Sequence, residues 1–352
     1  MLKVVRSEVV TQHVHAGESV TLHKEVLCLQ TENPLWVVRK HLPSGASKAS
    51  VVLVHGFAQN RYSWHTSIRS MSAWLAQQGF DVYNLELRGH GRSKNEGRSR
   101  PADLQQYIDD LISIAKALPD SAYWIGHSLG AAVIYGAAAT MRPLRCKGAI
   151  GVAGVFRFAT HNIAMRTLCG ATEHLAKLPL LKNIQIHTKN SGLLFSQLYR
   201  FLNAIGYVLP VSGWWPDTIE RELVEERLTV GFDWLSVPIW KDMCFIAKNK
   251  RFLYEQEWSE TDVPVLVLLG DRDHFLFVQD GRPAYTLARS VHRKLVIFDD
   301  YHHQHHWGHL DIVLGKDAPK FVWPEIQRWI EEIEAHNTSG NASSSAARSS
   351  AN

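Results

Sequence analysis

Few arrangements can house the stretch YWIGHSLGAAVIYGAAA at residues 123–139. Tyr123, Trp124 and Ile125 are apolar at consecutive positions, which suits a strand covered on both faces. Glycines at 126 and 130 interrupt the run. A second run rich in Ala then reads as a helix whose small side chains allow close packing. A doubly buried strand that feeds such a helix belongs in a mostly parallel sheet with helices on both faces, an α/β architecture.

The chain repeats this alternation. EVLCLQ and LWVVRKHL are strand-like runs separated by the turn residues TENP, and the loop PSGASKAS follows. VVLVHGF, FDVYNLEL, GAIGVAGV, VPVLVLLG and RKLVIFDD are further strands. Between them, the spacing of Trp64, Ile68, Met71, Trp74 and Leu75 predicts a helix over 63–79. A second helix is expected over 101–118, opening on a proline, and PKFVWPEIQRWIEEIEA closes the fold as another. The alternation stops over 156–261, which reads as amphipathic helix and loop, an inserted helical cap over the carboxyl edge of the sheet. The expected division is a core in two parts, 1–155 and 262–336, the cap 156–261, and a polar, low-complexity tail 337–352 that composition marks for disorder.

Composition excludes several classes of partner. The 352 residues carry 38 basic and 34 acidic side chains, a net charge of +4 with no dense basic block, so no nucleic-acid partner is expected. Cys28, Cys146, Cys169 and Cys244 are far apart and show no C-x-x-C spacing. No apolar run reaches the ~18–20 residues of a membrane span, and the first residues lack a signal-peptide pattern. A soluble, cytoplasmic protein is expected, with peripheral membrane contact left open and the oligomeric state not legible.

Gly126-His127-Ser128-Leu129-Gly130 matches G-x-S-x-G between a strand and a helix. Such a turn strains Ser128, tolerates only small neighbours, and lifts the hydroxyl above the sheet edge. The helix that follows offers backbone N–H groups and a partial positive charge to a developing oxyanion. On these residues the chain resembles the α/β-hydrolase superfamily over about residues 20–335. The resemblance implies that VVLVHGF carries the oxyanion loop, with the N–H of Phe57 paired with that of Leu129. It also implies that LRGHGRS is a structural turn, and that His55, His90 and His127 are turn and packing residues.

A serine hydroxyl needs a base, and the base needs an orienting carboxylate. The superfamily's chain order is Ser, acid, His. After the strand VPVLVLLG, both Asp271 and Asp273 are candidates for the acid. The superfamily pattern of Gly, two residues, then Asp selects Asp273 from Gly270. The segment YHHQHHWGHLD at 301–311 holds five histidines. HLDIVLGKDAP resembles the catalytic-histidine region of the acid-lipase branch, which implies that His309 is the base and Asp311 a local loop carboxylate. His302, His303, His305 and His306 lie adjacent in a loop, a poor arrangement for a built metal centre; no metal and no cofactor is expected.

The cap is expected to set the substrate. Trp214, Trp215, Trp234, Trp240 and Trp258 offer apolar surface for an acyl group, although packing the cap onto the core accounts for most of them equally well. The resemblance implies a small-molecule ester or lipid substrate and an esterase- or lipase-like activity. An acyltransferase, a peptidase and a non-catalytic binding protein are the alternatives. Polyester synthases resemble the C-terminal pattern but use Cys at the nucleophile, and haloalkane and epoxide enzymes of this fold use Asp, where this chain has Ser128.

Overall fold

The computed structural model describes residues 2–94, 100–175, 185–187, 199, 203 and 213–349. Nine strands form one sheet in the order β1-β2-β3-β5-β4-β6-β7-β10-β11. They are β1 (Leu2–His15), β2 (Glu18–Leu29), β3 (Leu35–His41), β4 (Ser50–Val54), β5 (Asp81–Glu86), β6 (Ala122–His127), β7 (Cys146–Val152), β10 (Val265–Gly270) and β11 (Arg293–Phe298). The pairs from β5 through β4, β6, β7 and β10 to β11 are parallel. The first three strands pair antiparallel and extend one edge.

Period-two alternation with both faces covered explains the strands that read as continuous apolar runs. Val51 and Leu53 of β4 pack on one side with Leu266 and Leu268 of β10 and with Trp323, Ile326 and Ile330 of the closing helix. Val52, Val54, Val265 and Val267 pack on the other side with α2 (Leu104–Ala117) and α3 (Leu129–Thr140). α2 starts where the Asp103 carboxylate accepts the Gln106 N–H at 2.9 Å, a side-chain N-cap. The helix α3 is buried along nearly its whole length, and a Cβ on Gly136 would meet the Ile108 side chain of α2 at 2.4 Å.

Three elements differ from expectation. The long strand β1 was not anticipated, because its burial is slight: Val4, Val5 and Val9 are exposed, and only Val14 is buried. It is held as a hairpin on β2 through a turn at Ala16 and Gly17, whose φ angles of 45° and 83° fit a tight turn. The helix expected over 63–79 is confined to α1 (Met71–Gln77). Thr66 N–H donates to the Arg69 carbonyl at 2.8 Å, a turn that stops any helix from running through, and Ser70 then caps α1 by accepting the Ala73 N–H at 3.1 Å. Trp64 is fully buried all the same. The closing helix runs Ala318–Ser349, through most of the tail marked for disorder. No proline interrupts 337–349, and a helix already nucleated gains one hydrogen bond per added residue.

Of the span 156–261, residues 176–184, 188–198, 200–202 and 204–212 lie outside the described residues. The remainder contains α4 (Ile163–Leu175), the antiparallel pair β8 (Gln185–His187) and β9 (Trp234–Ser236), α5 (Arg221–Thr229) and α6 (Val237–Asn249). No helix among the described residues is long and apolar enough to cross a membrane.

Candidate active site

Ser128 sits between β6 and α3 with φ 55° and ψ −121°, backbone angles that L-residues avoid and that cost on the order of 1–3 kcal/mol. The surroundings hold it there. Its N–H donates to Val152 at 3.1 Å, and its carbonyl accepts from Ala131 and Val155, each at 3.0 Å. A Cβ at Gly126 would collide with the Gly130 backbone, and one at Gly130 with the Val54 carbonyl. The two glycines are therefore required by the close approach of the helix start to β6 and to the end of β4. Leu129 is the first residue of α3, and Phe57 follows β4 in the neighbouring loop. Among the described residues, neither of their backbone N–H groups donates to a protein acceptor. A helix start with free donors is suited to an anionic oxygen.

The loops after β10 and β11 are fastened to each other at two points. Asp273 is buried and places Oδ2 2.6 Å from His309 Nδ1. Its Oδ1 accepts the backbone N–H groups of Phe275 and Leu276 at 2.9 and 2.8 Å. Both carboxylate oxygens are thus committed, and the His309 ring is oriented with Nδ1 donating to Asp273 and, among the described residues, no hydrogen bond at Nε2. Two residues earlier, Asp271 accepts the Trp307 N–H at 3.0 Å and holds His306 Nδ1 at 2.5 Å. The Gly270 Cα lies so close to the Trp307 carbonyl that any side chain there would collide with it.

His127 is fully buried and donates from Nε2 to the His309 carbonyl at 3.0 Å, with the two rings 4.8 Å apart. Burial first, and the neighbouring His309 second, hold its pKa well below the usual histidine value. It is therefore neutral and fixes the backbone of His309. His55 donates from Nδ1 to Gly56 at 3.0 Å and accepts the Leu87 N–H at Nε2 at 3.2 Å, with burial taking its pKa down to about 4. His90 Nε2 pairs with the Tyr107 hydroxyl at 2.7 Å. All three histidines occupy structural positions, and each makes a specific hydrogen bond that spacing alone does not announce.

Asp311 does more than its loop position suggested. Fully buried, it accepts from Gly308 N–H at 2.9 Å, from the Thr218 hydroxyl at 2.9 Å and from Trp215 N–H at 3.3 Å. It thereby ties the His309 loop to the segment just before α5 of the cap, and burial pushes its pKa up to about 6. A Cβ on Gly308 would meet Trp214 and Trp215 backbone atoms at 2.9 and 3.0 Å, so that contact needs glycine.

Ser128 and His309 open onto one cavity of about 310 Å³, walled by Phe57, Phe158, Met165, Trp214, Trp240 and Met243 among others. Trp215 does not line it; its ring packs edge-on against His306, centroids 4.7 Å apart. Trp258 lies in the core, its indole N–H donating to Ala284 at 2.9 Å.

The remaining histidines of 301–311 each engage a nearby carboxylate. His302 Nδ1 lies 3.1 Å from Asp299, and His305 Nε2 3.2 Å from Asp317. His303 Nδ1 accepts the Asp299 N–H at 3.2 Å and lies 3.6 Å from that residue's carboxylate. Asp271, Asp300 and His306 offer ligand atoms within 4.8 Å of one another. His306 meets Asp271 through Nδ1 and Asp300 through Nε2, however, on opposite sides of the ring. One ion takes a single nitrogen of an imidazole, so His306 bridges the two carboxylates rather than joining them in a convergent ligand set.

The model of the alpha/beta hydrolase family matches residues 51–321. Epoxide hydrolase B of Mycobacterium tuberculosis is 31% identical over 107 residues, 30% of this chain and 29% of that protein. The pimeloyl-[acyl-carrier protein] methyl ester esterase of Edwardsiella ictaluri is 34% identical over 109 residues, 31% of this chain and 38% of that protein. The chain thus matches well under half the length of these curated relatives. A soluble variant of the monoglyceride lipase of Saccharomyces cerevisiae, solved with a substrate analog, superposes with a TM-score of 0.60 at 15% identity, over 88% of this chain and 96% of that one. The sheet order, the serine turn and the family match agree: this chain belongs to the alpha/beta hydrolase family.

Proposed function

We propose that the protein is a serine hydrolase of carboxylic esters with an apolar acyl group, working through Ser128, His309 and Asp273. Ser128 Oγ attacks the ester carbonyl while His309 Nε2 takes its proton. Asp273 holds the imidazole in the tautomer that leaves Nε2 able to accept, and stabilises the imidazolium that forms. The N–H groups of Phe57 and Leu129 receive the oxyanion. The imidazolium then protonates the leaving alcohol, and water, activated by the same His309, releases the acid. The observation that carries the reading is the 2.6 Å Asp273–His309 bond beside a cavity that the histidine shares with a strained serine.

The apolar lining supports an acyl substrate, and the His-Leu-Asp pattern at 309–311 supports the acid-lipase side of the family. A cavity at the lower end of the roughly 300–1,000 Å³ usual for small-molecule sites favours acyl groups of modest length. Epoxide hydrolysis is disfavoured by Ser128 at the position where epoxide enzymes of this fold carry Asp. Fluorophosphonate labelling tests the nucleophile. The wild type is expected to be labelled on Ser128 and to hydrolyse p-nitrophenyl esters, whereas folded Ser128→Ala does neither. Labelling elsewhere, or undiminished turnover in that variant, would sink the assignment.

A further inference from the structure

The residue after Phe57 is strained. Ala58 is buried with φ 56°, in the left-handed region that favours glycine. Within its own loop, the Gln59 N–H donates to Gly56 at 3.3 Å, a long bond for holding such a conformation. The stronger hold comes from the cap.

The segment 230–233, between α5 and β9, runs antiparallel to residues 58–60. Asp233 N–H donates to the Ala58 carbonyl at 2.7 Å, Asn60 N–H donates to the Gly231 carbonyl at 3.1 Å, and Gln59 pairs with Phe232 between them. Gln59 and Phe232 line the cavity that holds Ser128, whereas Asp233 and Asn60 do not. A ribbon this short is weak by itself, and side chains lock it. Asn60 Nδ2 donates to the Val230 carbonyl at 3.0 Å and to Asp233 Oδ2 at 2.9 Å, while its Oδ1 accepts the Tyr62 N–H at 3.0 Å. Asp233 Oδ2 also accepts the Gly91 N–H at 2.8 Å, and Oδ1 pairs with the Lys94 ammonium. Gly91 belongs to the turn LRGHGRS after β5. One carboxylate, 3% exposed, thus joins the cap, the loop after β4 and the turn after β5. Hydrogen bonds to an ionised acceptor are shorter and stronger than neutral ones, which suits a group that restrains a strained loop.

We propose that Asp233 is a positioning residue for the oxyanion hole: from the cap, it holds the loop 57–60 in the shape that keeps the Phe57 N–H aimed at the reacting carbonyl oxygen. It acts through Ala58 and Asn60 and touches none of the reacting atoms. The cap then belongs to the catalytic geometry and does more than cover the substrate. The proposal rests on the ester-hydrolase reading, and within it on the role given to Phe57. A donor that is fixed in advance stabilises the transition state more than the bound ester, so loosening it lowers kcat and spares KM.

The test uses the full chain with p-nitrophenyl butyrate and its thiono analogue, in which sulfur replaces the carbonyl oxygen. Sulfur accepts hydrogen bonds weakly, so the preference for the oxygen ester reads what the oxyanion donors contribute. Asp233→Asn keeps the shape and the backbone bond to Ala58. Its carbonyl can still accept from Asn60 and Gly91, but its NH₂ faces the Lys94 ammonium and cannot pair. Complete loss of an oxyanion donor costs about 10²–10³ in kcat, and a loosened one should cost about tenfold with KM unchanged. The oxygen-to-thiono ratio of kcat/KM should fall by about the same tenfold. Displacement of Ser128 or His309 would slow both esters alike and leave that ratio where it was. Asn60→Ala, which frees the same loop from its own side, should move the ratio in the same direction. An unchanged ratio in either variant, folded by circular dichroism, overturns the proposal, and loss of the fold in both shows a structural role and overturns it too. A wild type that hydrolyses neither ester refutes the hydrolase reading instead. One that is labelled on Ser128 yet hydrolyses both esters equally leaves that reading standing and removes the oxyanion role of Phe57, and with it this proposal.

Discussion

Replacing Asp273 by Asn tests the site at its most specific point. Asp273 Oδ1 accepts two backbone N–H groups, from Phe275 and Leu276, at 2.9 and 2.8 Å. An asparagine must keep its carbonyl oxygen there, because its NH₂ would oppose two donors. The NH₂ then points at His309 Nδ1, which lies 2.6 Å from Oδ2 in the wild type. Nδ1 must now accept, so the ring proton moves to Nε2, and His309 loses the lone pair that takes the serine proton. Wrong-tautomer substitutions of this kind lower kcat by about 10⁴-fold, or about 5 kcal/mol of activation free energy. The fold should survive, since shape and backbone hydrogen bonds are kept. Asp271→Asn, by contrast, disturbs only the clasp on His306 and Trp307 and should cost on the order of tenfold or less, about the worth of one charge-assisted bond. The assay is p-nitrophenyl butyrate hydrolysis at neutral pH, with circular dichroism as the check on folding. A folded Asp273→Asn enzyme within tenfold of wild type, or an Asp271→Asn enzyme that is the more damaged, would refute the reasoning.

Three further outcomes follow from the same geometry. His309→Ala should lose roughly 10³-fold or more in kcat, while joint replacement of His302, His303, His305 and His306 should shift the pH profile or substrate range and leave substantial turnover; steady-state kinetics of the two variants separate base from cluster. EDTA should leave wild-type turnover unchanged, because His306 meets its two aspartates from opposite ring nitrogens, and inhibition reversed by added zinc would make the cluster a metal site. Burial raises the Asp311 pKa from 3.8 to about 6, so the folded state binds its proton more tightly than the unfolded chain. Stability from this group is therefore full below pH ~4 and is lost as pH rises through ~6, by on the order of 3 kcal/mol. Urea denaturation of Asp311→Asn over that range should lack this slope, and parallel wild-type and variant profiles would show that burial does not hold a proton on Asp311.

The parts of the fold legible in the sequence are those where burial on both sides left no room for polar residues. Residues 51–54 of β4, 122–125 of β6 and 265–269 of β10 are uninterrupted apolar runs for that reason. β1 is not, because it is a half-exposed edge strand, and its mixture of valines with charged residues carries no face-specific pattern. The 63–79 region shows a subtler failure. Periodicity placed Trp64 and Met71 together in the core, and both are buried there, but burial at helical spacing does not require a continuous helix. The turn at Thr66–Arg69 delivers Trp64 to the same core by another route.

The candidate site divides along the same line. Ser128 was visible because strained backbone and close approach force glycine at 126 and 130, and such demands leave letters in the sequence. The partners of the histidines left none, since a hydrogen bond between distant loops constrains one atom rather than a pattern. Thus the sequence alone left both Asp271 and Asp273 open, and resemblance was needed to prefer one. The structure supplies a physical distinction. Residues two apart in this loop meet residues three apart in the other: Asp271 reaches His306 and Asp273 reaches His309. Of the two histidines, His309 and not His306 lines the cavity that Ser128 shares. Asp271, His127 and Asp311 hold the same loop from three other sides, through the Trp307 N–H, the His309 carbonyl and the Gly308 N–H. A histidine base must keep its orientation through successive proton transfers. Four independent attachments around a single imidazole are what a loop, lacking the ladder of a helix or strand, needs to provide that rigidity.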